Sequence, residues 1–139
     1  MKNKVFLLLT LFLLISLSVG CISKEFDSNY KQFKESYILA TDFLDSDKDS
    51  LKALKNMDLD SFENELKKMK ETMDSMSTET NSKGEKGIYG NVKNYYEGLE
   101  FLLYANKNFD KLTTEEKRKV YVEAIFASMN RKSITRGDE

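Results

Sequence analysis

The chain has no histidine, no proline and no tryptophan, and a single cysteine in 139 residues. Without histidine there is no imidazole general base and no imidazole metal ligand, the commonest of each kind. Ser-His-Asp triads, Cys-His dyads and Cys/His zinc sites are therefore excluded. One cysteine cannot close an intramolecular disulfide, so no disulfide scaffold holds the fold. Charge of one sign is not in excess either. Lys and Arg number 22 against 23 Asp and Glu. Such a balance carries no electrostatic footprint for nucleic acid, and no nucleic-acid partner is expected. The absence of proline is compatible with long uninterrupted helices.

Long apolar runs are nearly absent as well. The exception spans Val5 to Val19, fifteen residues without a charge, behind the positive segment Met1-Lys2-Asn3-Lys4. A bilayer core of ~30 Å needs ~20 apolar residues as a helix, so the run is short for a stable span. A positive start, an apolar run and then small residues read as a secretory signal peptide over residues 1–20. The alternative is an uncleaved signal anchor, and both readings export the rest of the chain.

The small residues end at Ser18-Val19-Gly20, directly before Cys21, the only cysteine. This placement resembles the lipobox of prokaryotic lipoproteins, bacterial or archaeal, Leu-(Ala/Ser/Thr/Val)-(Gly/Ala)-Cys. Val19 and Gly20 match the two positions before the cysteine. Ser18 stands where leucine is usual, and Leu17 lies one residue earlier. The resemblance covers residues 1–21 and implies cleavage after Gly20, with lipid on the sulfur of Cys21. The implied location is the outer face of the cytoplasmic membrane, with the lipid as the membrane contact. Residues 21–139 then hold 20 basic and 23 acidic residues, a net charge of −3. A mildly acidic domain is repelled by anionic headgroups, so lipid and not charge must hold it there.

The exported part reads as helices. Phe26, Tyr30, Phe33, Tyr37, Ala40 and Leu44 recur every three or four residues. So do Leu59, Phe62, Leu66, Met69, Met73 and Met76, and so do Ile88, Val92, Tyr95, Leu99 and Leu102. Val120, Ala124 and Ala127, flanked by Tyr121 and Ile125, make a fourth and less regular stripe. Each stripe places apolar groups on one helix face. Asp60 with Glu63, and Thr113 with Glu116, have the spacing of a capping box. The polar segment Thr78 to Gly87, with Gly84 and Gly87, reads as the main loop. These signals predict an all-α antiparallel bundle with helices near 24–45, 58–77, 88–106 and 114–130, plus a short one near 47–56. The expected organisation is a tether over 21–25, a bundle over 26–132 and a frayed polar tail over 133–139.

Candidate sites are few. Met69, Met73 and Met76 share one face, and thioethers select Cu(I). The same positions continue the stripe from Leu59, Phe62 and Leu66, where methionine fills a core. Core packing is the preferred reading, and no metal is assigned. Asp45, Asp47 and Asp49 imitate the start of a calcium loop, which needs glycine at position six and glutamate at position twelve. Ser50 and Asn56 stand there instead, so the run reads as a helix start. Tyr89, Tyr96 and Tyr104 lie beside the main stripe of the third long helix and form a candidate interaction face, but a helix buried on a wide face with hydroxyls reaching the surface is the preferred reading. Gly90 and Gly98 lower that helix's stability by ~1 kcal/mol each relative to alanine, which asks for a close approach by something. Arg136-Gly137-Asp138 resembles an integrin-binding tripeptide, but three residues carry almost no information.

No pair of carboxylates stands on an apolar face. Glu97 and Glu100 both can point to solvent, and no phosphate-cradling loop follows a strand. The expectation is a lipid-anchored, non-catalytic binding or accessory protein without cofactor, with another membrane or secreted protein as partner. A small-ligand or copper-binding lipoprotein is the alternative.

Overall fold

The computed structural model describes residues 22–137. The signal segment, Ser18, Val19, Gly20, Cys21 and Asp138 lie outside the described residues. Among those described there is no strand, and five α-helices pack as a bundle. They are α1 (Lys24–Ala40), α2 (Ser50–Lys55), α3 (Leu59–Glu79), α4 (Lys83–Lys107) and α5 (Thr114–Arg136). Short 3-10 turns follow α1 at Asp42–Asp45 and α4 at Phe109–Lys111.

Each helix starts on a side-chain cap. The Ser23 hydroxyl accepts from the Phe26 N–H, Asp49 from Leu51 and Asp58 from Ser61. The cap of α3 is therefore Asp58, two residues before the expected Asp60. Ser82 with Glu85, and Thr113 with Glu116, form complete capping boxes at α4 and α5. A capping side chain contributes ~1 kcal/mol by satisfying a backbone donor the helix cannot.

The core follows the periodicities. Phe26, Phe33 and Tyr37 of α1 meet Phe62, Leu66, Met69, Met73 and Met76 of α3, with Val92, Leu99 and Leu102 of α4. Burying each large side chain contributes ~1.5–3 kcal/mol. Helix α1 packs chiefly on α3, α3 on α4 and α4 on α5, with α2 set against α4 and α5.

Three boundaries differ from the sequence reading. Most of the expected loop 78–87 is helical: α3 runs on to Glu79, and α4 starts at Lys83. The Ser82–Glu85 capping box outweighs the two glycines behind it. Helix α1 stops at Ala40 instead of near 45, and the Thr41 hydroxyl at its end donates to the Tyr37 carbonyl at 2.7 Å. Arg131 of α5 then pairs with Asp42 at 2.8 Å and Asp45 at 2.7 Å, holding the 3-10 turn. Residues 133–136, expected as part of a polar tail, continue α5 to a left-handed Gly137 at φ 74°. Glycine takes that backbone without a Cβ clash, which ends the helix.

Candidate interaction surface

The tyrosines of α4 do not form one open face. Tyr89 and Tyr96 are half-buried and lean on the core. Burial, with the Glu100 carboxylate next in effect, pushes the Tyr96 hydroxyl up to about 12. Tyr104 is exposed, but its hydroxyl donates to Glu116 at 2.9 Å. That carboxylate also accepts from the Thr113 N–H at 2.8 Å, so Tyr104 braces the cap of α5. The hydrogen bond to Glu116 raises the Tyr104 pKa.

Helix α5 carries the open apolar surface. It turns Val120, Ala124 and Ala127 inward and leaves Val122, Ile125, Phe126 and Met129 between 48% and 59% exposed. These four recur at i, i+3, i+4 and i+7, the repeat of one helix face. The side that carries the two alanines packs on the bundle. Tyr121 sits at the edge of the stripe, where its hydroxyl donates to Asp49 at 3.1 Å. The sequence reading placed Tyr121 and Ile125 as flanks of an inward stripe and missed Val122, Phe126 and Met129. The signal was present, since residues 120–129 are apolar on nearly every side of the helix.

The remaining candidates have local structural roles. Met69, Met73 and Met76 lie inside the core, none more than 6% exposed. Asp47 accepts from the Asp49 N–H at 2.8 Å, and Asp49 caps α2. Among the described residues, no three His, Cys, Asp or Glu side chains group as a metal site. Glu97 and Glu100 are exposed, and Glu97 pairs with Lys93 at 3.8 Å. Arg136 closes α5, and Gly137 is its left-handed cap. No described helix is long and apolar enough to cross a membrane.

At the other end of the bundle, Glu85 joins the start of α4 to the start of α1. Its carboxylate accepts from the N–H of Ser23 at 2.8 Å, of Ser82 at 2.8 Å and of Asn81 at 2.9 Å. Those donors, Ser23 first, hold the Glu85 carboxyl down at about 2.

Compared with models of known protein families, with curated proteins and with solved structures, the chain matches none.

Proposed function

We propose that this chain is a lipid-anchored, non-catalytic binding protein on the outer face of the cytoplasmic membrane. Its α5 stripe docks another membrane or secreted protein. The observation that carries this reading is the exposure of Val122, Ile125, Phe126 and Met129 on a helix that buries alanines. Contiguous exposed apolar side chains mark interaction sites, because water contact at such a patch is unfavourable until a partner covers it.

A second observation supports the membrane-proximal placement. Ser23 is tied to the bundle by Glu85 and caps α1. With lipid on Cys21, only Ile22 would separate the anchor from the folded domain. At ~3.5 Å per extended residue, the domain would stand within ~7 Å of its anchor. Its partner is then a protein reachable at that surface.

Native mass spectrometry of the chain released gently from its own membranes tests the reading. The expected species is residues 21–139 plus lipid, with a second protein at fixed stoichiometry. That second protein should be lost from an Ile125→Ser/Met129→Ser chain and kept by Lys67→Ser on α3. Retention of residues 1–20 without lipid would overturn the anchor. A double variant that keeps the same protein would overturn the docking face.

A further inference from the structure

Beside the α5 stripe, a cleft of about 360 Å³ opens between α1, α4 and α5. Tyr37, Tyr95 and Phe126 supply its aromatic walls, and Gly98, Glu123 and Asn130 supply its polar lining. The rings of Tyr37 and Tyr95 stand 5.5 Å apart at 45°. Phe126 is the outer wall, half-exposed beside the opening.

Glu123 lies across bare backbone. A Cβ placed on Gly98 would sit 2.8 Å from its Oε2 atom. At Gly98 the Glu123 side chain occupies the space of the missing Cβ, whereas at Gly90 nothing lies within 4 Å of it. Among the described residues no salt bridge includes Glu123, and its charge acts on the neighbouring Tyr37 hydroxyl. Lys119, one turn earlier, is turned toward the ring of Phe101, 4.1 Å from its centroid. Tyr37 does not compete as an anion. Its hydroxyl is buried, accepts from the Asn130 side chain at 3.4 Å, and is pushed up to about 12, chiefly by burial.

Glu123 presents a carboxylate with no cationic partner in a salt bridge at a cleft with aromatic walls. Such a carboxylate can serve as a counter-ion, and ring faces attract cations through their quadrupoles. We propose that the cleft binds an organic cation, an alkylammonium or guanidinium group, with Glu123 as its counter-ion. This goes beyond the docking reading, and of its two sources only the partner's side chain rests on that reading. The group is either a free small amine or a Lys or Arg side chain of the partner on α5.

The full chain in a non-ionic detergent, labelled with ¹⁵N, is titrated with tetramethylammonium, butylammonium and ethylguanidinium. Butanol and ethylurea serve as neutral counterparts. At least one cation should give saturable shifts at the Gly98 and Asn130 amides, and the neutral molecules should not. Glu123→Gln should weaken that binding at least tenfold. Gly98→Ala, which moves the carboxylate aside, should weaken it several-fold with the bundle still folded. No saturable binding, equal binding by Glu123→Gln, or equal binding of the neutral molecules would overturn the proposal. Mass spectra of wild-type and Glu123→Gln chains from their own membranes identify the source. A small amine on wild type alone marks a free ligand, and a protein on wild type alone marks a side chain. Identical spectra from the two chains overturn the proposal. The docking reading fails separately, on the Ile125→Ser/Met129→Ser chain.

Discussion

Glu85 and Ser23, 62 residues apart, are joined by a 2.8 Å hydrogen bond from the Ser23 N–H to the Glu85 carboxylate. The same carboxylate completes the capping box of α4. One buried side chain therefore starts one helix and ties down the chain entering another.

Acid should release that tie. The folded pKa of Glu85 is about 2, below the ~4.3 of an unfolded glutamate. Its contribution is fully present above ~4.3 and disappears as pH falls toward 2. Thermal melts followed by circular dichroism should show Tm falling through this window. Glu85→Gln should melt several degrees lower at neutral pH and lose less on acidification. A variant whose acid limb matches wild type would count against the assignment.

Gly90 and Gly98 should respond differently to alanine. At Gly90 the new methyl group meets nothing within 4 Å, so Gly90→Ala should gain close to the full helix-propensity difference, ~1 kcal/mol. At Gly98 the methyl group must displace the Glu123 carboxylate, so Gly98→Ala should gain less. Urea unfolding of the two variants gives the comparison directly. A larger gain at Gly98 would mean that the carboxylate does not sit where the structure puts it.

The methionines of α3 should behave as core. Met69 has no solvent exposure, so Met69→Ala should cost ~2–5 kcal/mol. Met69→Leu keeps the volume and should cost less than ~1.5 kcal/mol. Chemical denaturation separates the two, and equal costs would point to a role for the sulfur itself.

The outer face of α5 should be dispensable for folding. Ile125→Ser/Met129→Ser should stay within ~1 kcal/mol of wild type, since each exposed substitution typically shifts stability by under ~0.5 kcal/mol. The inward substitution Val120→Ala should cost more, ~1–3 kcal/mol, because Val120 is fully buried. Calorimetry of both chains distinguishes the two faces. A strongly destabilised double variant would show that the stripe supports the fold.

The sequence by itself determined the class of fold and most of the core. The spacing of Phe26, Phe33 and Tyr37, and of Phe62, Leu66, Met69, Met73 and Met76, is a local property of a 3.6-residue helix. It needs no partner to be read. The capping box at Thr113 is equally local, and the one at Ser82 was legible in principle but hidden behind two glycines. Three features were decided only in the tertiary structure. Arg131, from the far end of the chain, holds the turn after α1 through Asp42 and Asp45. Gly98 faces a carboxylate and Gly90 faces nothing, a difference set by where α5 crosses α4. Helix α5 is apolar on both faces; periodicity picks out Val120, Ala124 and Ala127 as the inward stripe, but only the packing of that side on α4 shows that Val122, Ile125, Phe126 and Met129 stay uncovered.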